Sequence, residues 1–304
     1  MKNQENYLNE IVSYYDNLQE IENKLFEVEK IPLVPSIEEG FFENPRVFGI
    51  YKKTGGRVLG VHGSRFEAMQ PAEMFKAILA TAQKYERFDL SKLTFKEYLG
   101  GEIINFDLQL EKIEFKNKAG VDDVTDVIVS FGTSYNGNLS NVINVKSFRY
   151  VCSNGLKVYG SDYKLKGKNT INGKIKALAY INEFGKILEN ADNYKELLIT
   201  LDKKEISDEQ VKNIIYEVFD FKKSEKKQTR KENILKKVNE SMEIEFERTG
   251  RTLYGVLNGF TYYSNHLANF NDEKYSKDEY IYFKTGGLIN EKAQKVIYKH
   301  ISLN

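Results

Sequence analysis

Between Ile104 and Val151 apolar side chains recur at every second position, and this alternation limits the fold more than any other feature of the chain. Ile104, Phe106, Leu108 and Leu110 alternate with polar neighbours, as one face of a β-strand requires. Ile113 and Phe115 continue the run on shifted parity, which a β-bulge would produce. Asn117 to Asp123 reads as a turn. Val127 and Val129 alternate into a second strand. Asn136-Gly137 then falls between apolar runs and is the strongest short hairpin signal in the sequence. Val142, Ile143, Val145, Phe148, Tyr150 and Val151 make the return strand. The pattern predicts an α+β fold: a curved antiparallel β-meander packed by helices, with a helical C-terminal part.

The flanks carry other signals. Leu8, Ile11, Val12, Tyr15, Leu18, Ile21, Leu25 and Val28 recur at three- and four-residue steps, which predicts an amphipathic helix ended by Pro32 and Pro35. It either packs on its own domain or serves as a docking arm. Val47, Phe48 and Ile50, then Thr54-Gly55-Gly56, then Val58, Leu59 and Val61 read as a hairpin. Pro71 suits the first turn of a helix bearing Met74, Phe75, Ile78, Leu79 and Ala82. From Gly173 the pattern is helical. Ser207 and Gln210 form a capping box, and further helices are predicted over Thr229–Phe246, Leu253–Leu267 and Glu291–His300. The expected division is an N-terminal helical arm over 1–45, an α+β core over 46–190, and a helical C-terminal region over 191–304.

Composition narrows the function classes. Lysine and arginine total 45 against 44 acids, a net charge of +1, so any polyanion contact has to be local. One cysteine and three histidines leave no internal disulfide and few ligands for a Cys/His zinc site. The N-terminus lacks an apolar signal region, and no run is long enough to span a membrane. The expectation is a cytoplasmic protein, without membrane attachment, in which Cys152 is a reduced, packed thiol.

Two segments carry a family resemblance. One is Val129-Ser-Phe-Gly-Thr-Ser-Tyr-Asn-Gly137, leading to Phe148-Arg149-Tyr150-Val151-Cys152-Ser153-Asn154-Gly155-Leu156. The other is Thr252-Leu253-Tyr254-Gly255-Val256-Leu257-Asn258-Gly259, ending near Asn265-His266, with Lys284-Thr285-Gly286-Gly287 beyond it. In order and spacing they resemble the phage/plasmid-like proteins grouped as domain of unknown function 932, over roughly residues 46 to 300. That family has an Arg-x-Val-Cys-x-Asn-x-Leu element after a hairpin and a downstream Thr-Leu-Trp-Gly-x-x-Asn helix ending in Asp-His. Here Tyr254 stands for the Trp and Asn265 for the Asp, and Ser134-Tyr135-Asn136 lacks the family's His-Asp pair. These departures weaken the case for a metal or acid–base site there. The resemblance implies a phage or mobile-element context and no established chemistry.

The candidate functional residues fall into four groups. Lys157, Lys164, Lys166, Lys168, Lys174 and Lys176 follow the cysteine element with only Asp162 opposing, and Tyr150, Tyr159 and Tyr163 are interleaved. With Arg149 they suit phosphate contact and base stacking; a solvated lysine-rich surface is the plain alternative. A second basic run covers Lys222 to Lys237. Cys152, Asn154 and Gly155 read as the end of a strand and a turn, because no histidine lies near to activate the thiol. Tyr254, Asn258, Thr261 and Asn265 form a polar stripe on one helix face, Gly255 and Gly259 allow close approach of a neighbour, and His266 caps the helix end or ligates. Asp122, Asp123 and Asp126 read as a solvated turn, the alternative being a Mg²⁺ site for phosphoryl chemistry.

The leading expectation is a nucleic-acid-binding protein without chemistry or cofactor, holding single-stranded DNA for recombination or annealing. In outline the predicted fold is similar to phage single-strand annealing proteins, which implies a homo-oligomer. The competing expectation is a protein-binding module that blocks or redirects a host defence complex. A hydrolase or nuclease built on the Asp122 group is the third.

Overall fold

The first sheet is a three-stranded antiparallel ladder in the order β1-β2-β3 (Val28–Pro32, Val47–Lys52, Arg57–Gly63). It belongs to a computed structural model that describes residues 17–33, 46–85, 88–150, 154–157, 164–182, 185–221, 228–269, 280–281 and 285–301. Gly55 and Gly56 turn the chain at φ +84° and +67°, backbone that a side chain would strain. Of the expected N-terminal helix the structure describes α1 over residues 17–24; it ends earlier than the apolar stripe, and Val28 begins a strand. Gln70 holds that strand, accepting from the Val28 amide and donating to its carbonyl. Leu8, Ile11, Val12, Tyr15 and Pro35 lie outside the described residues.

The second sheet is the predicted meander, extended by strands at both edges. Its order is β4-β5-β6-β7-β8 (Thr94–Tyr98, Ile103–Lys116, Asp122–Ser134, Asn141–Arg149, Asn154–Lys157), with β9 (Lys164–Gly167) also on β7. Residues 146–149 of β7 pair with β8 and residues 141–144 pair with β9. The connection after β6 turns at Gly137, φ +80°, and Asn136 accepts from the Asn138 amide. Asn169 locks this loop from a distance, donating to the carbonyls of Ser134 and Leu139 and accepting from the Asn141 amide.

Helices follow the predicted caps. They are α2 (Pro71–Ala82), α3 (Ile171–Asn182), α4 (Gly185–Lys203), α5 (Asp208–Val218), α6 (Gln228–Thr249), α7 (Leu253–Tyr262) and α8 (Thr285–Lys299). Ser207 caps α5 by accepting from the Gln210 amide at 3.3 Å. The helix predicted over Leu253–Leu267 changes to π geometry at Tyr263. None of the described helices is long and apolar enough to cross a membrane.

The chain packs as two compact units, each assembled from three stretches. One unit takes residues 1–111, 128–144 and 164–186; the other takes 112–127, 145–163 and 187–304. The parity shift in β5 falls at this division, with Ile104 to Leu110 in the first unit and Ile113 and Phe115 in the second. The first unit's core holds Ile50, Met69, Ile78, Leu93, Phe106 and Tyr135. There the Tyr135 hydroxyl donates to the Met69 carbonyl at 2.8 Å, and burial pushes its pKa well up. The second unit's core holds Ile214, Val238, Met242, Val256, Phe260 and Ile297.

One expectation is overturned by burial. The Asp122 group is not a solvated turn: the turn is closed by Asn117, whose Oδ1 accepts from the Ala119 and Val121 amides, and strand β6 already starts at Asp122. Asp122 is exposed, whereas Asp123 and Asp126 are buried.

Candidate functional site

The two motif segments meet inside the second unit. Strand β7 ends at Arg149, paired in register with Asn154 of β8. Next to it on the sheet, β6 supplies Asp123. Arg149 Nε donates to both Asp123 oxygens at 2.7 and 2.8 Å, and Nη2 donates to Oδ2 at 2.5 Å. Helix α6 brings Glu245, which accepts from Arg149 Nη1 at 2.7 Å and from Arg248 Nη1 at 3.2 Å. Arg149 is 3 % exposed, and Asp123 and Glu245 are fully buried. Arg149 therefore faces two carboxylates in a water-excluded setting, with the partly exposed Arg248 balancing the second of them from the rim. Asn117 adds a bond to Asp123 at 3.3 Å and ties the turn to the Arg248 carbonyl at 3.0 Å.

Helix α7 closes over this cluster. The Tyr254 ring centroid lies 5.5 Å from the Arg149 guanidinium carbon, a cation–π approach, and Phe115 meets the same ring edge-on. Burial pushes the Tyr254 hydroxyl pKa well up, with the Arg149 charge opposing. The glycines set how close α7 comes to α6. A Cβ at Gly259 would lie 2.3 Å from Met242 Sδ, and one at Gly255 would lie 2.5 Å from the Gly250 carbonyl. Farther along, Asn265 Nδ2 donates to the Gly155 carbonyl at 3.1 Å, a second link between the two motifs. Asn258 and Thr261 bond instead to carbonyls of their own helix, those of Tyr254 and Leu257. His266 is exposed and packs beside the Tyr262 ring at 4.6 Å.

Polar groups at the rim are engaged as well. Asp202 accepts from the Lys118 amide at 3.2 Å, and burial raises its carboxyl pKa despite that bond. The Tyr150 hydroxyl donates to Asp126 at 2.5 Å, a bond that raises the Tyr150 pKa. Among the described residues no group of three His, Cys, Asp or Glu side chains is placed to hold a metal ion. The Arg149 fork is occupied on both sides, so the cluster is built for cohesion rather than for receiving a phosphate.

The remaining sequence-predicted residues lie apart from this cluster. Lys166 and Lys168 are exposed at the end of β9, and Lys176 is exposed on α3, 5.4 Å from the Tyr180 ring centroid. Lys174 is drawn into an ion pair with Glu73 at 2.7 Å. Lys157 and Lys164 fall on β8 and β9. Cys152, Tyr159, Tyr163 and residues 222–227 of the second basic run lie outside the described residues; of the rest, Lys231 lies 4.8 Å from the Tyr216 ring centroid and Lys237 donates to the Leu267 carbonyl at 2.9 Å.

Glu245, Ser147 and Tyr194 had no place in the sequence reading. For Glu245 a signal existed: it occupies a position on the buried stripe Val238, Met242, Phe246 and Thr249, where a lone carboxylate demands a buried cation.

The family model that matches the chain is that of a domain of unknown function, DUF932, over residues 58–284. No curated protein and no solved structure matches.

Proposed function

This chain belongs to the DUF932 family, and we propose that it binds single-stranded nucleic acid without chemistry of its own, along the basic segment of β9 and α3. One observation carries the reading. Lys166, Lys168 and Lys176 are exposed and make no ion pair among the described residues, whereas Lys52, Lys53, Lys118, Lys174, Lys292 and Lys299 are each matched by a carboxylate. Unmatched ammonium groups grouped on one segment are what phosphate contact needs in a chain of net charge +1. Tyr180 offers a ring beside Lys176 for stacking. Arg149 is excluded from the contact by its ion pairs. The recombination or annealing role, with a homo-oligomer along the strand in the host cytoplasm, rests on the outline of a meander backed by helices, similar to phage single-strand annealing proteins, and not on the family, which carries no established chemistry.

The test is binding of a fluorescent single-stranded oligonucleotide across a salt series, with a duplex control. Three phosphate contacts give a log–log salt slope of about −2 on a single strand. The triple variant Lys166→Ala, Lys168→Ala, Lys176→Ala is expected to flatten it. Binding unchanged by the triple variant, or absent at low salt, sinks the proposal.

The second reading, a module that docks on a host protein complex, draws on a different surface. Leu33, Val47, Val58 and Val61 on the three-stranded sheet are exposed. Val47→Lys together with Val61→Lys would abolish stoichiometric capture of a host protein if that face is the docking surface. Unchanged capture would remove it.

A further inference from the structure

Beside Arg149, which forms part of its wall, the second unit contains a small cavity of about 20 Å³. Thr125 of β6, Ser147 of β7, Tyr194 of α4, and Tyr254, Asn258 and Thr261 of α7 line it. All six are buried. Two hydroxyls of its lining residues, Tyr254 Oη and Thr125 Oγ1, are buried without a well-formed hydrogen bond among the described residues; the Asn258 amide approaches the Tyr254 oxygen as a donor, which leaves the Tyr254 O–H proton still without an acceptor. Asn258, which is next along the helix face, also donates to the Tyr254 carbonyl. The Ser147 and Tyr194 hydroxyls bond each other at 2.9 Å in the same wall.

Burying a hydroxyl without a partner costs about 1–3 kcal/mol, and native interiors rarely leave two such groups in the lining of one cavity. A single water molecule needs roughly 10–15 Å³ of such space and two to four polar neighbours, and the cavity supplies both. Leu198 and Leu257 complete the wall, and the volume leaves room for nothing larger than water. The neighbouring charges balance, Arg149 and Arg248 against Asp123 and Glu245, so nothing favours an ion over a neutral guest.

We infer that this cavity is a binding site for one resident water molecule, which accepts from the Tyr254 hydroxyl and bonds Thr125 Oγ1, so joining β6 to α7. The water fixes the Tyr254 ring from its far end while Arg149 holds its face. The raised Tyr254 pKa keeps that hydroxyl protonated and therefore a donor.

The sign of a mutational effect tests this. With a resident water, Tyr254→Phe and Thr125→Val each strand a bonded water and lower the folding equilibrium constant about fivefold, the size of one hydrogen bond. The double variant then loses less than the product of the two, because the water is already gone after the first change. Without the water, each substitution removes an unpartnered buried hydroxyl, and stability stays level or rises. Both replacements keep the side-chain shape, so the fold survives either way. A crystal structure of the whole chain at a resolution that shows ordered solvent adds a direct readout. The expected result is one density peak within hydrogen-bond distance of both oxygens. A dry cavity, or variants at least as stable as the parent, overturns the inference.

Discussion

Arg149 shows how one residue type yields two opposite readings. In sequence it precedes a run of lysines and looks like one more phosphate contact. In the fold it terminates a strand whose side chains are nearly all buried, and its planar fork is divided between Asp123 and Glu245. Removing one partner from such a buried set leaves an uncompensated charge, so Arg149→Ala is expected to cost about 3–5 kcal/mol in chemical denaturation. Arg149→Lys should not restore it, because an ammonium cannot serve both carboxylates with the same geometry. A variant at position 149 with near-parental stability would show that the cluster is not what holds the sheet to α6. Asp202 makes a prediction of the other sign. Burial raises its carboxyl pKa above the unfolded value. Its folding contribution is then present below the unfolded pKa and lost as pH rises through the folded one. Asp202→Asn keeps an oxygen for the Lys118 amide and removes the buried charge. Its melting temperature should exceed the parent's near neutral pH, and the gain should shrink to nothing in acid. A gain that persists or grows in acid would contradict this.

At the scale of elements, local signals were readable and distant partners were not. Pro71 and the Ser207 box mark helix starts because their chemistry is complete within four residues. Ser207→Ala should therefore cost about 1 kcal/mol, measurable as a shift in the denaturation midpoint. Strand β1 gave no such signal. Val28 fits the helical stripe of the preceding residues, and only pairing with β2 and the Gln70 clamp make it a strand. The strength of those contacts overrides local propensity. The Gly255 and Gly259 spacing announced a close neighbour but could not say which element it was. The structure supplies α6, with Met242 against Gly259. Gly259→Ala pushes a methyl into the Met242 side chain and against its Cα at 3.2 Å, so α7 must lift from α6. The expected loss is about 1–3 kcal/mol, despite the higher helix propensity of alanine. A stabilised Gly259→Ala variant would mean that Met242 turns aside freely.

At the scale of the molecule, the fold class was legible because alternation and helical periodicity occupy different regions of the sequence, whereas the grouping of those regions was not. Composition is read along the chain and suggests boundaries at single points. The compact units are discontinuous because β5, β6 and β7 each supply residues to both. The helices after residue 191 thus belong with 112–127 and 145–163, which carry Asp123 and Arg149. A fragment of residues 191–304 would retain Glu245 on the buried face of α6 and lose its buried partner Arg149, keeping only the longer pair with the partly exposed Arg248. It would also lose β8, whose Gly155 carbonyl accepts from Asn265. Buried polar groups stripped of partners are costly, and the fragment's apolar faces have nothing else to cover them. The fragment 191–304 is therefore expected to show helical circular dichroism without a cooperative thermal transition, and to be cut rapidly by protease. A fragment beginning at 112 and running to the end retains every stretch of the second unit and is expected to melt cooperatively. If 191–304 alone melts as sharply as the longer fragment, the Arg149 cluster is not required for this unit to fold.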